Sequence, residues 1–411
     1  MLAVISKKRS ICIVGLGYIG LPTAALLATR GYEVHGVDVN QEAVKKINYG
    51  EAHIFEPDLD ACIKSAIEGG LLSASTEIVQ SDVYMICVPT PFKDGEAEPK
   101  PDISYIEAAT KSIAPHVKAG DLVILESTSP VGTTELVEHL LSENGVATSE
   151  ISIAYCPERV LPGNIMTELI ENDRIVGGID QGSTNAIVEF YKEFVNGSVI
   201  STSARTAEMC KLTENSFRDV NIAFANELSV ICDREGIDVW ELIGMANRHP
   251  RVNVLSPGTG VGGHCIAVDP WFIVSRNPED AKLIKTARLV NDEKPELVVQ
   301  KISTMAKEKS QVLGRPARIG CLGLAFKPDI DDLRESPALQ VTRRLIDLDY
   351  EVVAAEPNVE VVQGITLVDA NTLLNTADVI AVLVAHRQFK SDSMKRKLQA
   401  SGGLDFCGAF V

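Results

Sequence analysis

The segment "GTGVGGHCIAVDP", Gly258 to Pro270, surrounds one cysteine with small residues. Glycine-rich loops that hold phosphates follow a strand and open a helix, whereas this one follows Pro250 and Pro257 after a helical stretch. Its glycines remove side chains around Cys265, so a substrate could approach the thiol, and backbone N–H groups could stabilise an oxyanion. The segment therefore predicts a nucleophilic cysteine, although a lone cysteine is more often structural.

The same segment also allows a metal interpretation, through His264, Cys265 and Asp269. These residues do not have the paired spacing of zinc ligands. We therefore expect no metal at this site.

A second group of polar residues lies on a stretch with helical periodicity. Lys211 and Asn215 are four residues apart and share one helical face, which Arg218 continues. A line of this kind is either a solvated face or a stripe that lines a cleft and faces an anion or alkoxide.

Two further segments place charged residues just after predicted strands. "AYCPERVLPG" offers Glu158 as a general base or, equally, as a surface carboxylate, with Arg159 beside it. "FKPDIDDLRESP" offers Lys327 and Arg334, which are candidate phosphate partners in a strongly acidic protein or members of a plain loop.

The N-terminal strand "ICIVGLG" ends in the glycines of a dinucleotide fingerprint, Gly15, Gly17 and Gly20. The glycines allow a pyrophosphate to approach the backbone at the start of the following helix. Asp38 ends the next strand, where it would bind ribose hydroxyls and repel a 2′-phosphate. Val39 and Asn40 supply no arginine, so the sequence favours NAD over NADP.

The elements that must position these residues fall into three regions. Strands alternate with helices up to about residue 201, which predicts a Rossmann-type doubly wound sheet in a domain of residues 1–201. Residues 202–310 lack strand signals and read as a central helical domain that carries the cysteine loop. "DYEVVAAEPN" repeats the pattern of "GYEVHGVDVN", so residues 311–411 are expected to form a second, Rossmann-like α/β domain. Its first strand lacks the glycine fingerprint, which implies a different ligand or the same one held differently.

Composition excludes several classes of function. The 411 residues carry a net charge of −17, which argues against nucleic-acid binding. Apolar runs are interrupted too often for a membrane span. The nine scattered cysteines suit a reducing cytosol rather than a disulfide scaffold, so we expect a cytoplasmic protein.

Taken together, the motifs are similar to those of the UDP-glucose/GDP-mannose dehydrogenase family, and the resemblance covers nearly the whole chain. The branch acting on UDP-N-acetylated amino sugars is the most similar, through "NRHPRVN" and "GGHCIAVDPWFI". In chain order, the matching motifs are "GLGYIGLP", "VPTP", "ESTSPVGTT", "PERVLPG", "EMCKLTENSFRDVNIAFANE", "GVGGHCIAVDP" and "GLAFKPDIDDLRESP".

The resemblance implies a four-electron oxidation of the C6 hydroxyl of UDP-N-acetyl-D-mannosamine to a carboxylate, with two NAD used in succession. Cys265 would form a thiohemiacetal and then a thioester, which water activated by Glu158 would hydrolyse. Lys211 and Asn215 would stabilise the oxyanions, while Thr128 and Asp269 would position a water and tune Lys211.

The resemblance also implies that residues 311–411 bind the UDP-sugar, and it implies individual ligand contacts. The NAD contacts would be Gly15, Gly17, Tyr18, Ile19, Gly20, Asp38, Pro89, Thr90, Thr128 and Arg334. The substrate contacts would be Arg159, Val160, Lys211, Asn215, Arg218, His249, Arg251, Gly262, Phe326 and Lys327.

One arginine of the family pattern is displaced in this chain. In the family it reaches across a homodimer built on the long central helix, and in ungapped register it falls on His249 rather than on Arg248 or Arg251. Which of the three reaches the substrate stays open, as does any assembly beyond a dimer.

Alternatives to this function also remain. The substrate could be UDP-GlcNAc, UDP-GalNAc or UDP-glucose, because the sugars differ in few contacts. A two-electron hydroxyacid dehydrogenase would use Lys211 but leave Cys265 unexplained. A non-enzymatic NAD-binding regulator would have an unreactive Cys265.

Overall fold

The computed structural model describes residues 8–54, 56–93, 95, 98–161, 163–263 and 265–410. They form two compact units, one ending at Thr213 and the other beginning at Glu214. The predicted domain boundaries at residues 201/202 and 310/311 remain a prediction.

The first unit is built on an eight-stranded sheet in the order β3-β2-β1-β4-β5-β6-β7-β8. All neighbouring strands are parallel except β6 and β7, which are antiparallel. The strands are β1 Ser10–Val14, β2 Glu33–Val37, β3 Leu72–Ser75, β4 Val83–Ile86, β5 Leu122–Leu125, β6 Ser152–Tyr155, β7 Arg174–Gly178 and β8 Val199–Ser203.

Helices cover both faces of this sheet. Alternate residues of β1 therefore enter two different cores, Ile11 and Ile13 one of them and Cys12 and Val14 the other. The helices are α1 Gly20–Thr29, α2 Gln41–Asn48, α3 Leu59–Glu68, α4 Ser104–Ile113, α5 Thr133–Glu143, α6 Ile165–Glu171 and α7 Gln181–Lys192, with short 3-10 helices at Ala114–His116 and Thr148–Glu150.

The helical region begins with a 32-residue helix, α8 Ala204–Glu235, which starts in the first unit and continues into the second. It is followed by α9 Val239–Ala246, α10 Asp269–Arg276 and α11 Lys282–Leu313. The helical character predicted from periodicity is confirmed. However, Phe224 and Ile231, on the apolar face of α8, are about half exposed, so the described residues cover this part of the face only incompletely.

The C-terminal sheet has the order β11-β10-β9-β12-β13, and all of its strand pairs are parallel. Its strands are β9 Ile319–Leu322, β10 Val352–Ala355, β11 Thr366–Leu367, β12 Val379–Val382 and β13 Leu404–Asp405. Its helices are α12 Pro337–Asp347, α13 Ala370–Thr376 and α14 Asp392–Ala400, with a 3-10 helix at Arg387–Lys390. This order repeats that of the first five strands of the chain, as the sequence repeat predicted.

The fold class is therefore confirmed. The chain has an N-terminal Rossmann-type sheet, a helical central region and a C-terminal α/β domain.

Candidate active site

The glycine turn between β1 and α1 has the shape that a dinucleotide needs. Gly15 has φ +94°, and a Cβ at Gly20 would lie 1.8 Å from the carbonyl oxygen of Gly15, so both positions require glycine. Gly17 is different because it is exposed and a Cβ there would meet no atom within 4 Å. The described first turn of α1 contains neither an acidic residue nor a capping side chain, so its N–H groups suit an anion.

Asp38 joins the glycine turn to the end of β2. Its carboxylate accepts hydrogen bonds from Leu16 N at 2.9 Å and Asn40 N at 2.8 Å, and the residue is half-buried. A carboxylate has about four acceptor sites, so it can still bind ribose hydroxyls. The residues of this turn, including Tyr18 and Ile19, thus fit the adenine-nucleotide half of NAD.

Two loops at the ends of β4 and β5 are joined by a hydrogen bond. The hydroxyl of Thr90 donates to the carbonyl oxygen of Thr128 at 2.7 Å, while Pro89 beside it is exposed. Since carboxyl ends of parallel strands share one edge of a sheet, these predicted NAD contacts lie at the same edge as the glycine turn.

Glu158 lies beyond β6 and is only 5% exposed, which excludes the surface-carboxylate interpretation. One carboxylate oxygen accepts from the backbone N–H of Arg159 at 2.6 Å, and the other forms an ion pair with Arg174. The ammonium of Lys211 donates to the carbonyl oxygen of Glu158 at 2.7 Å. The structure therefore brings the predicted base and the predicted oxyanion-stabilising lysine together.

A second buried carboxylate, Glu126, lies in the same polar cluster. It accepts from the hydroxyl of Tyr191 at 2.5 Å and from the thiol of Cys87 at 3.3 Å. Burial raises the pKa of Glu126 to about 7, and the charge of Glu158 adds to the rise while that of Arg174 opposes it. Sequence reasoning did not identify Glu126, Tyr191 or Arg174. The available signal was a charged residue opening the otherwise apolar strand "RIVGG".

The turn of α8 that carries Lys211 is held by a fully buried carboxylate, Glu208. It accepts hydrogen bonds from Gly132 N at 2.6 Å and Thr134 N at 2.8 Å, at the start of α5. Burial raises the pKa of Glu208, against the lowering effect of these bonds. Glu208 thus ties the start of α8 to the loop that follows Thr128.

In the second unit, Asn215 and Asp269 form the core of the cysteine site. The Asn215 amide donates to the Asp269 carboxylate at 2.5 Å, and both side chains are buried. Asp269 is the first residue of α10, and its backbone N–H donates to the carbonyl oxygen of Cys265 at 2.9 Å. Cys265 itself is exposed, as a nucleophile must be, whereas Cys321 of the same unit is fully buried.

The glycines of this loop have a structural role that the sequence did not reveal. A Cβ at Gly262 would lie 2.4 Å from the carbonyl oxygen of Glu335 and 2.7 Å from Pro337, and one at Gly263 would lie 2.9 Å from the ring of Phe326. The loop is therefore glycine-rich partly because the segment after β9 packs directly against it. Gly262 and Phe326, both predicted substrate contacts, touch in this packing.

The start of the loop is anchored by a buried polar network between α8 and α11. The side chain of Asn226 accepts from Gly258 N at 2.8 Å and donates to Asn291 at 2.9 Å. Asn291 in turn donates to Asp219, which is paired with Arg288. Asn226, Asp219 and Arg288 are almost fully buried.

The remaining predicted contacts lie on more open surface. Arg218, Arg248, His249 and Arg251 are exposed, and Lys327 is half-buried. Arg334 is bound by Asp332, with Nη2 to Oδ2 at 2.6 Å. Val160, which follows Arg159, is half-buried and packs against the core of the first unit.

Among the described residues, no cluster of three or more His, Cys, Asp or Glu side chains has the arrangement of a metal site. His264, one of the residues considered for a metal, lies outside the described residues. None of the helices in the described part of the chain has both the length and the apolar character needed to cross a membrane.

Comparison with known proteins assigns a domain to each region. Residues 9–195 match the NAD-binding domain of the UDP-glucose/GDP-mannose dehydrogenase family. Residues 205–293 match its central domain, and residues 320–409 match its UDP-binding domain.

Full-length relatives are also similar. A UDP-N-acetyl-D-mannosamine dehydrogenase of Yersinia pestis is 55% identical over 401 residues, covering 93% of this chain and 95% of that protein. An NDP-N-acetyl-D-galactosaminuronic acid dehydrogenase of Ralstonia nicotianae is 53% identical over 397 residues, covering 93% and 92%. The structure of UDP-D-ManNAc dehydrogenase from Pyrococcus horikoshii superposes with a TM-score of 0.87 at 39% identity, covering 97% and 96%. The chain is thus an NAD-dependent dehydrogenase that belongs to the UDP-glucose/GDP-mannose dehydrogenase family.

Proposed function

We propose that the protein oxidises the C6 hydroxyl of UDP-N-acetyl-D-mannosamine to a carboxylate in two NAD-dependent steps. The observation that carries the proposal is the exposed Cys265, which lies four residues before α10 and accepts a backbone hydrogen bond from Asp269 of the buried Asn215–Asp269 pair. Relatives named UDP-N-acetyl-D-mannosamine dehydrogenase at 55% and 54% identity support the choice of sugar.

Bound NAD supplies the hydride acceptor for each oxidation. Loss of one hydride from C6 and one proton from its hydroxyl converts the alcohol to an aldehyde. The Cys265 thiolate adds to this C6 aldehyde, and the resulting oxyanion is stabilised by the Lys211 ammonium and the Asn215 amide. Loss of a second hydride leaves a thioester on Cys265. Glu158 takes a proton from water, which attacks the thioester carbonyl, releasing the carboxylate and the Cys265 thiol.

The remaining predicted residues are assigned to the two ligands, NAD and the UDP-sugar. NAD is assigned to Gly15, Gly17, Tyr18, Ile19, Gly20, Asp38, Pro89, Thr90, Thr128 and Arg334. The UDP-sugar is assigned to Arg159, Val160, Arg218, His249, Arg251, Gly262, Phe326 and Lys327. Asp269 positions Asn215 through the hydrogen bond described above.

The test is the number of NADH formed per sugar oxidised. We expect two for the wild-type protein and no release of uronate from Cys265→Ser, because serine cannot form the thioester. A ratio of one NADH per sugar would contradict the four-electron reaction and favour a two-electron dehydrogenase.

A second sugar is favoured by a specific observation, the relative named NDP-N-acetyl-D-galactosaminuronic acid dehydrogenase at 53% identity. We therefore test NADH release with UDP-ManNAc, UDP-GalNAc, UDP-GlcNAc and UDP-glucose. A contact that distinguishes the sugars by shape discriminates by about 1–3 kcal/mol, so we expect kcat/KM to separate the four sugars by about 10- to 200-fold. A higher kcat/KM for UDP-GalNAc would replace the proposed substrate.

We further propose that the active form is a homodimer formed through the central helical region. Phe217, Phe224 and Ile231 lie seven residues apart on α8 and are 68%, 53% and 46% exposed. An apolar stripe of this length suits a second copy of the same helix. Phe224→Glu should yield monomers in sedimentation equilibrium, whereas Val312→Glu, a charge added at another exposed apolar position, should not.

In such a dimer, one of the exposed residues after α9 (Arg248, His249 or Arg251) would reach the active site of the partner subunit. If His249 serves the partner's site, an equal mixture of inactive Cys265→Ser and His249→Ala proteins should recover roughly a quarter of the wild-type rate. About half of the dimers are then mixed, and each mixed dimer has one intact site of its two. The same mixture with Arg248→Ala or Arg251→Ala in place of His249→Ala compares the other two candidates. Restoration by none of them would place all three residues within their own protomer's site or outside it.

A further inference from the structure

The ion pair between Arg174 and Glu158 is buried, and one of its members, Glu158, is the proposed general base. The two side chains are 2% and 4% exposed. Arg174 opens β7, the strand that runs antiparallel to β6. The register pairs Ala154 with Gly178 and Tyr155 with Gly177, and continuing it by three residues places Glu158 opposite Arg174. The reversed strand therefore delivers a guanidinium to the edge where the parallel strands end.

Arg174 also fixes the orientation of the Glu158 carboxylate. One oxygen of the carboxylate receives Nη1 of Arg174, and the other receives the N–H of Arg159. Nη2 of Arg174 is anchored on the carbonyl oxygen of Leu169 at 3.1 Å. Each carboxylate oxygen keeps a lone pair for a water proton. The carbonyl oxygen of Glu158 accepts a hydrogen bond from Lys211, so Arg174, by holding Glu158, influences the position of two proposed catalytic groups.

The charges of this cluster do not balance without Arg174. Glu158 and Glu126 are both buried; Arg174 pairs with Glu158, and its charge opposes the rise that burial causes in the pKa of Glu126. The nearby ammonium of Lys211 donates to the backbone carbonyl oxygen of Glu158 rather than to a carboxylate. The other groups that face the cluster are the thiols of Cys87 and Cys156 and the hydroxyl of Tyr191, whose pKa values burial raises, so they remain neutral. A guanidinium stays charged even when buried, and here Glu158 raises its pKa above the ordinary value against the effect of burial.

We propose that Arg174 is a positioning residue for the hydrolytic step, which pairs with the Glu158 carboxylate and directs its free lone pairs toward the attacking water. The inference rests on the proposed function, in which Glu158 activates the water that cleaves the Cys265 thioester. A purely structural ion pair would affect folding and every catalytic step alike. A positioning residue would affect thioester cleavage and leave the two hydride transfers intact.

The experiment compares three variants in pre-steady-state NADH assays with UDP-ManNAc. Arg174→Met removes the charge, Arg174→Lys keeps the charge but not the planar fork, and Glu158→Gln removes the base itself. For Arg174→Met we expect a rapid burst of two NADH per active site and then turnover slowed about 100-fold, the usual contribution of a general base. Glu158→Gln should show the same burst.

Two further readouts exclude a merely structural effect. Hydroxylamine attacks thioesters without a protein base, so it should accelerate turnover of Arg174→Met and Glu158→Gln while leaving the wild type nearly unchanged. The acid limb of the pH profile for thioester cleavage should move upward by at least about one pH unit in Arg174→Met, because a buried carboxylate without its cation holds its proton more tightly. In Arg174→Lys the limb should stay in place while the rate falls about tenfold.

The proposal is overturned if Arg174→Met folds, binds NAD and cleaves the thioester at the wild-type rate and pH profile, or if hydroxylamine does not restore turnover. If Arg174→Met does not fold, Arg174→Lys decides, and a wild-type rate in that variant overturns the proposal. Failure of the proposed function is seen separately, as a wild-type protein that forms fewer than two NADH per sugar.

Discussion

The two α/β regions of the chain use the same device at the end of the second strand. In the N-terminal sheet, Asp38 accepts a hydrogen bond from Leu16 N at 2.9 Å. In the C-terminal sheet, Glu356 accepts one from Leu324 N at 2.7 Å. In each case the acid clamps the turn that leaves the first strand, and this turn contains a glycine of positive φ, Gly15 or Gly323.

The two acids differ in burial and in the side chains that contact them. Asp38 is half-buried and open to a ligand, whereas Glu356 is buried and capped by His386, with Nε2 of the ring 3.1 Å from the carboxylate. The backbone N–H of Asp329 donates to Nδ1 of His386 at 2.9 Å, so Nε2 carries the ring proton and donates to Glu356. The same frame thus leaves its acid accessible in the first domain, whereas His386 covers the acid in the second.

The largest effect is expected in the N-terminal glycine turn, which the C-terminal domain does not repeat. In Gly20→Ala the new methyl group would lie 1.8 Å from the carbonyl oxygen of Gly15, so the turn must break open. We expect a loss of more than about 4 kcal/mol of unfolding free energy in the first unit, or no soluble protein. Urea denaturation followed by circular dichroism measures it.

Gly17→Ala is the matched control, because its methyl group would meet no protein atom within 4 Å. It should fold like the wild type and lose at least tenfold in NAD affinity, measured by calorimetry, since the methyl group occupies space that the pyrophosphate needs. Wild-type NAD affinity in Gly17→Ala would show that the dinucleotide does not approach this turn.

The second test compares how much Asp38 and Glu356 each contribute to the free energy of unfolding. Glu356→Ala removes a buried carboxylate that accepts from Leu324 N, Ala325 N and His386, and should cost about 3–5 kcal/mol in unfolding free energy. Asp38→Ala should cost about 1 kcal/mol and raise the KM for NAD tenfold or more. Equal destabilisation by the two substitutions would show that the two domains do not differ in this way.

The third test uses pH, because two buried acids have shifts of opposite sign. Burial raises the pKa of Glu126 to about 7, so the folded protein holds a proton that the unfolded chain has lost, and stability falls as the pH rises from about 4.5 to about 7. Burial alone would raise the pKa of Glu356 too, but the hydrogen bonds from His386 and the backbone lower it below its usual value. Its contribution is present above pH 4.5 and is lost as the pH falls through the lowered pKa.

Urea midpoints between pH 4 and 8, compared for the wild type, Glu126→Gln and Glu356→Gln, check these signs. Glu126→Gln should remove a decline on the order of 3 kcal/mol between pH 4.5 and 7, while Glu356→Gln should remove a dependence on the acid side. A wild-type stability that does not change between pH 4.5 and 7 would contradict the raised pKa of Glu126.

Much of the fold could be predicted because it depends on local signals. The glycine turn, Asp38 and the repeated "YEV" strand are short-range patterns, and both sheets follow from them. The loop around Cys265 was recognisable for the same reason. Its packing was not, because Gly262 and Gly263 meet Phe326 and Pro337, which lie far along the chain.

The supporting residues of the site were missed for a related physical reason. Arg174, Glu208 and Asn226 act through contacts with groups 16 to 76 residues away. A buried charge is recognisable only when its partner is known, and neither helical nor strand periodicity carries that information. Even the assignment of Arg174 to a strand does not reveal that β7 runs antiparallel to β6 and so faces Glu158.

The smallest test concerns the asparagine that follows each acid by two residues. Asn40 caps α2, with its side-chain oxygen accepting from Glu42 N at 3.0 Å and Ala43 N at 3.3 Å. Asn358 instead lies near Glu356 and His386, at 3.4 and 3.1 Å. Asn40→Ala should cost about 1 kcal/mol, as for other lost N-caps, and Asn40→Asp should restore it because aspartate caps equally well. Asn358→Asp should not restore the loss in Asn358→Ala, since a second carboxylate would face Glu356. Restoration in both domains, measured by urea denaturation, would mean that Asn358 also acts as a simple cap.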